Sequence, residues 1–202
     1  VARYIKNFLF FLIFIIVMNG CSSKYVDNSD LSKNEYIFQS ASLQNTILQR
    51  DLRLKKYKEL TKSKKNFDSF KNDLAFQDDR MGLNLELFDF YNEWEGVGYK
   101  FGGNSKDGID CSAFIQKAFS EKFDLSMPRT TDMQSELGKE IDKSELKSGD
   151  LVFFRTGDTN HVGIYLEDGM FIHASTSNGV TISELDNVYF KENYWTARRI
   201  IN

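Results

Sequence analysis

Few folds can accommodate the stretch HVGIYLEDGMFIHAS, His161–Ser175. Two short runs rich in β-branched, aromatic and aliphatic residues flank Glu167-Asp168-Gly169. This reads as a hairpin with a three-residue loop, whose last position is left-handed and suits glycine. The register then follows: Leu166 faces Met170, His173 faces Gly163 and His161 faces Ser175. Because side chains alternate between faces along a strand, both histidines fall on one face of the sheet as diagonal neighbours. Gly163 opposite His173 leaves room for an imidazole. A two-residue Asp-Gly loop would put the histidines on opposite faces, so their meeting depends on the loop length. Glu167 and Asp168 read as turn residues rather than a paired acid and base.

The rest of the C-terminal part fits around this hairpin. Ser148-Gly149-Asp150 is a turn before a strand at Leu151–Phe154, and further strands are expected at Val180–Ser183 and Trp195–Ile200. Upstream, Leu83, Leu87, Phe90, Tyr91 and Trp94 recur with helical spacing. After Pro128, Thr131 or Asp132 is placed to cap a short helix ending at Leu137. Helices first and turn-linked strands after give an α+β domain, N-terminal helices on an antiparallel sheet or small barrel. Residues 81–202 are enough for one core. Trp94 and Trp195 are assigned to it.

A second stretch, Gly96–Phe119, carries the cysteine of this domain. Gly102, Gly103 and Gly108 interrupt regular structure before Cys111. After it Phe114, Ile115, Ala118, Phe119 and Phe123 form an apolar helical stripe. Cys111 therefore stands at a helix start, where free N–H groups and the helix dipole favour a thiolate. A thiol there and two imidazoles on one sheet face suit a nucleophile, a base (His161) and an orienting group (His173). Three other readings stay open: histidines in structural hydrogen bonds, a vestigial site, and a zinc site of Cys111, His161 and His173. The last lacks the closely spaced ligand pairs usual for zinc.

The N-terminal part has another character. Arg3 and Lys6 precede an unbroken apolar run, Phe8–Met18, too short to cross a bilayer comfortably and suited to a signal sequence. Asn19-Gly20-Cys21 follows, resembling a bacterial lipoprotein signal cleaved before a lipidated cysteine. Met18 and Asn19 depart from that pattern, and an uncleaved anchor is the alternative. Val1 suggests a non-AUG start or a trimmed chain. The expected organisation is a signal peptide over 1–20, a lipidated Cys21 with a polar, partly helical tether over 21–80, and the globular domain over 81–202. Within the tether Leu43–Leu60 has an imperfect helical pattern and reads as a spacer, and Lys62–Asp79 as a second helix or a loop. With Cys21 lipidated, Cys111 is a free thiol in an exported protein. The 26 Lys and Arg against 29 Asp and Glu leave no basic footprint for nucleic acid.

Five segments in order resemble the NlpC-type cell-wall peptidases: Tyr99–Gly103, Gly108–Ser112, Ser148–Phe154, His161–Tyr165 and Phe171–Ser175. The MPRTT and HASTSNGV stretches are similar to the murein endopeptidase lipoproteins of that family. The resemblance implies a papain-like fold and cysteine peptidase chemistry on murein stem peptides or crosslinks, with no metal or organic cofactor. It implies Cys111 as nucleophile, His161 as base, His173 as third member, and Tyr99 lining the site beside the oxyanion. Asp110, Ser112 and Arg129 are candidates for substrate contact: Asp110 either caps the helix or binds an amine, and Arg129 either meets a carboxylate or forms a structural ion pair. Ala113 replaces the family's glycine and is expected to narrow the cleft. The implied partners are peptidoglycan and, through Cys21, the outer membrane on its periplasmic side. A monomer is expected, with any adaptor or protease partner unidentified. The alternatives are a papain-like acyltransferase or amidase on another substrate, and a non-catalytic wall-binding lipoprotein.

Overall fold

The apolar runs of the C-terminal part pair into one antiparallel sheet in the computed structural model, which describes residues 44–45, 48–49, 51–59, 61, 79–157 and 159–201. The signal segment, Cys21 and nearly all of Lys62–Asp79 lie outside the described residues. Around the sheet lie α1 Asp79–Trp94, α2 Cys111–Phe123, α3 Thr131–Ser135 and α4 Val188–Asn193. A two-stranded ribbon, β1 Asn104–Ser105 and β2 Gly108–Ile109, leads into α2. The main sheet contains β3 Lys139–Glu140, β4 Leu151–Arg155, β5 Asn160–Tyr165, β6 Met170–Ser175, β7 Gly179–Glu184 and β8 Tyr194–Arg199. Its order is β3-β8-β4-β5-β6-β7, an open sheet with edges at β3 and β7 rather than a closed barrel.

Both faces of this sheet are covered, so its central strands read as continuous apolar runs. One face presents Leu151, Phe153, Val162, Ile164, Ile172 and Ala174 to α1 and α2, whose Leu87, Phe90, Phe114, Ile115 and Phe119 complete the larger core. The other presents Val152, Phe154, Phe171 and Ala197, closed over by Leu185, Phe190 and Tyr194. Trp94 is buried among the rings of Phe90 and Phe114, and Trp195 packs at the core margin against Phe153.

The central hairpin has the expected register. Ile164 pairs with Ile172 and Tyr165 with Phe171, which keeps His161 and His173 on one face. The loop is left-handed at two positions, Asp168 (φ 52°) and Gly169 (φ 77°). Aspartate tolerates that conformation better than most residues. Gly163 has a wider role than making room for an imidazole. A Cβ there would approach Phe171 Cδ2 at 2.5 Å and the Ile172 carbonyl at 2.8 Å, as well as His173 Cβ at 3.2 Å.

Two expectations change. The short helix ends at Ser135 and is capped by Thr130, whose hydroxyl accepts from Met133 N–H (3.3 Å). Thr131 and Asp132 are committed elsewhere: Thr131 Oγ1 lies 3.6 Å from Cys111 Sγ, and Asp132 accepts from Asn160 at 2.5 Å. Residues 51–59 are helical as expected, but they are more than a spacer. Tyr57 is buried against Phe88, ring centroids 5.4 Å apart, and donates its hydroxyl to Glu167. Arg53 pairs with Glu167 and Asp168 at 3.4 and 3.0 Å. The two acids of the hairpin loop thus hold this segment as well as making the turn.

Candidate active site

Asp110 builds the start of α2. Its Oδ1 accepts from Ala113 N–H at 2.8 Å, which caps the helix. The same carboxylate accepts from Gly102 N–H (2.9 Å), the Ser112 hydroxyl (3.1 Å) and the two terminal guanidinium nitrogens of Arg129 (2.9 and 2.6 Å). The glycines before it allow the chain to fold back this tightly: a Cβ on Gly103 would run into the Gly108 carbonyl. Burial alone would raise the Asp110 carboxyl, but Arg129, Ala113 N–H and Ser112 together hold it below its ordinary value. Of the two readings for Asp110, the cap is the one formed. Arg129 is likewise engaged in a bidentate ion pair. Arg129 also donates to Ser112 Oγ at 2.9 Å.

Cys111 follows at the first position of α2 and is 5% exposed. Burial pushes its thiol above the ordinary value. The Thr131 hydroxyl and the backbone N–H groups of Val162 and Ser112 pull it down, and the Asp110 carboxylate adds to the rise. The net direction is upward, against the expectation from the helix start alone. Desolvation of a sulfur anion here outweighs the hydrogen bonds that these donors offer it.

The imidazoles come from the sheet. His161 Nε2 and His173 Nδ1 are 2.8 Å apart, with the rings nearly perpendicular at 86°. Phe171 stacks on His173 (4.8 Å, 30°), Phe190 meets it edge-on (5.2 Å), and Phe154 lies beside His161 (6.2 Å). In this apolar setting burial pushes His161 down to about 4. His173 is pushed well below its ordinary value by burial and then by His161.

Thiol and imidazoles approach from opposite faces of the sheet. Between β5 and β6 the ladder covers only Ile164↔Ile172 and Tyr165↔Phe171. Beyond it the Val162 N–H turns to the Cys111 sulfur, one residue from His161. His161 Nε2 is taken by His173, so Nδ1 is the nitrogen left for a proton from the thiol side.

A cleft of about 530 Å³ opens over Cys111. Its walls include Tyr99, Asp110, Ser112, Arg129 and Thr131. Phe101 stands at its lip, 81% exposed. Burial, then Cys111 whenever it is ionised and the Asp110 carboxylate, raises the Tyr99 phenol and keeps it a donor. Ala113 does not line this cleft. Its methyl is buried in the core and borders a separate hollow with Gln116 and Met127, because the helix turns it away from the sulfur. Among the described residues no three His, Cys, Asp or Glu side chains converge as a metal site requires.

Sequence reasoning missed Thr131 as a neighbour of the thiol, and it missed Gln134. Fully buried, Gln134 donates through Nε2 to the carbonyls of Ser112 (3.0 Å) and Pro128 (2.8 Å), tying α3 to the first turn of α2. The PRTTDMQ spacing held the signal, since Thr131 and Gln134 are one helical turn apart.

Residues 96–199 match the NlpC/P60 family. The chain is 50% identical over 117 residues to the Escherichia coli protein named murein DD-endopeptidase MepS/murein LD-carboxypeptidase, a match covering 57% of this chain and 62% of that relative. It is also 50% identical over 122 residues to the E. coli probable endopeptidase NlpC, covering 59% of this chain and 77% of the relative. The chain thus spans less than two thirds of the first of these proteins. Among solved structures, an NLP/P60-family protein from Staphylococcus aureus described as similar to a lipoprotein matches with TM-score 0.55 and 33% identity, over 62% of this chain and 43% of that one. The family match spans half of the chain and contains the capped helix start, Cys111 and both histidines. The chain belongs to the NlpC/P60 family.

Proposed function

We propose that this protein is a cysteine peptidase of the cell envelope that hydrolyses peptide bonds in peptidoglycan, at the crosslinks between stem peptides. The observation that carries this reading is the 2.8 Å His161–His173 contact, on the strand whose Val162 N–H reaches the thiol at a capped helix start. The names of the relatives, murein DD-endopeptidase and probable endopeptidase, favour the substrate.

With burial pushing the thiol up and the imidazoles down, the resting pair is a thiol and a neutral imidazole. Substrate entering the cleft brings the scissile carbonyl to Sγ. His161 Nδ1 takes the thiol proton as sulfur attacks, and His173 accepts the Nε2–H of the imidazolium that forms. The oxyanion is met by the Cys111 N–H and the Tyr99 phenol. Collapse expels the amine with the proton from His161, leaving a thioester on Cys111. Water, deprotonated by His161, then releases the carboxylate product. The Arg129–Asp110–Ser112 cluster holds the cleft wall by this reading, rather than meeting a free substrate carboxylate. Residues 1–20 are read as a lipoprotein signal and Cys21 as the lipidated residue, which anchors the enzyme at the outer membrane facing the periplasm.

Digestion of purified sacculi, followed by mass analysis of the products, tests the activity. Wild type is expected to convert crosslinked dimers to monomeric stem peptides, and Cys111→Ser to release almost none, since a thiol ionises far more easily than a hydroxyl and is intrinsically the stronger nucleophile. Undiminished release by the Ser variant would exclude the thioester route, and intact crosslinks after wild-type treatment would exclude this substrate.

Metabolic labelling with a fatty-acid probe tests the anchor. Wild type should carry label and Cys21→Ala none, and label retained on the variant would overturn the assignment of Cys21.

The buried imidazoles also predict a pH dependence of stability. Their folded pKa values lie below the unfolded value of about 6.5. Between that value and the folded pKa the unfolded chain binds more protons, so stability falls as pH drops through this window. It is fully present above about pH 6.5 and is lost toward about 4 for His161. Each unit of depression corresponds to about 1.4 kcal/mol. Urea midpoints from pH 7.5 to 5 should fall more for wild type than for the double variant His161→Gln, His173→Gln. Parallel curves would show that the imidazoles are not held neutral by burial.

A further inference from the structure

We infer that Ser183 is a positioning residue for the reaction proposed above, the last link of a three-residue relay, His161–His173–Ser183, that sets which nitrogen of each imidazole carries its proton. The β6–β7 ladder pairs Phe171 with Ser183 and His173 with Thr181, so Ser183 and His173 are diagonal neighbours on one sheet face. Ser183 Oγ lies 2.9 Å from His173 Nε2. His173 is 1% exposed, and its two ring nitrogens are accounted for: Nδ1 by His161 at 2.8 Å and Nε2 by this hydroxyl. The rings packed around the two imidazoles from β4, β6 and α4 are Phe154, Phe171 and Phe190. None of them accepts a hydrogen bond as an oxygen does, and among the described residues only burial and, for His173, the neighbouring His161 shift the two imidazoles.

The direction of the relay follows from proton bookkeeping alone. When His161 takes the thiol proton on Nδ1, it carries a proton on both nitrogens. Its Nε2–H must then donate to His173 Nδ1, which must be bare. A neutral His173 with a bare Nδ1 has its proton on Nε2, and that N–H needs an acceptor in a buried place. Ser183 Oγ is that acceptor. In the reverse arrangement the hydroxyl donates to His173 Nε2, His173 Nδ1–H donates to His161, and His161 keeps its own proton on Nδ1. That tautomer cannot take a proton from the thiol. Only the forward arrangement completes both hydrogen bonds in the imidazolium state. The hydroxyl therefore stabilises the charged intermediate more than the resting state, and its loss should reduce kcat rather than raise KM. The hydroxyl also borders a cavity of about 520 Å³, lined in part by His161, His173, Ser175 and Asn187, so its own O–H has room to turn outward while its lone pair faces His173.

The test is steady-state hydrolysis of soluble crosslinked muropeptides by the full chain, joined to ¹⁵N–¹H spectra of histidine-labelled protein. Ser183→Ala should lower kcat about 5- to 100-fold, the range for one lost buried hydrogen bond, with KM within about twofold. Ser183→Thr keeps the hydroxyl and should recover most of the rate. In the spectra His173 should be Nε2-protonated in wild type and in Ser183→Thr, and lose that single-tautomer signature in Ser183→Ala. A Ser183→Ala enzyme with wild-type kcat, a Thr variant as slow as Ala, or a wild-type His173 protonated on Nδ1 would each overturn the relay. If wild type cleaves no muropeptide, the peptidase reading fails, while the tautomer spectra still decide the relay.

Discussion

The contact between His161 Nε2 and His173 Nδ1 is the interaction around which this domain is arranged. It needs two strands in one register, with the odd positions of both on one face. The loop Glu167–Gly169 supplies that register, and Gly163 lets the strands approach where a side chain would strike Phe171 and the neighbouring backbone. It also needs a dry setting, which Phe154, Phe171 and Phe190 provide from three elements. The smaller of the two cores is thus both a packing solution and the environment that keeps the imidazoles neutral. The segment around Tyr57 reaches the same hairpin from its far end, through Glu167 and Asp168.

Opposite this pair stands a helix start whose electrostatics are contested. Asp110 caps α2 and holds Arg129, so the residue before the thiol is a carboxylate shielded by a guanidinium. The N–H donors and the Thr131 hydroxyl at the sulfur favour a thiolate, burial opposes it, and burial prevails in the free protein. A thiol that stays protonated until a base is aligned is protected from oxidation. The arrangement therefore suits a proton transfer made during attack rather than a standing ion pair.

Much of this was legible in the sequence where a local rule fixes geometry. The glycine-broken approach and the Phe114–Phe119 stripe located α2 and its cysteine. Loop length and strand parity alone put His161 and His173 side by side. What was not legible depends on contacts between elements whose spacing no local rule sets. Thr131 looks like a cap until α3 is seen leaning its hydroxyl on the sulfur. Ser183 looks like strand filler until β6 and β7 are put in register, although Ser175 and Gly179 bracket a second short loop that carried the signal. The direction of the thiol shift depended on how deeply α2 is buried, and the helix start alone pointed the other way. Tyr57 lies in a polar stretch whose pattern said helix but not what the helix would touch.

The central claim is that the two histidines act as a unit with unequal parts, one moving the proton and the other orienting it. Measuring kcat/KM on soluble muropeptides for His161→Asn, His173→Asn and His173→Ala tests it most directly. Loss of the proton-moving imidazole should cost about 10²–10⁴-fold. Asparagine at position 173 can still accept a hydrogen bond, so His173→Asn should keep more activity than His173→Ala, and both more than His161→Asn. A His173→Ala enzyme equal to wild type, or a His161→Asn enzyme that outperforms His173→Asn, would contradict the account.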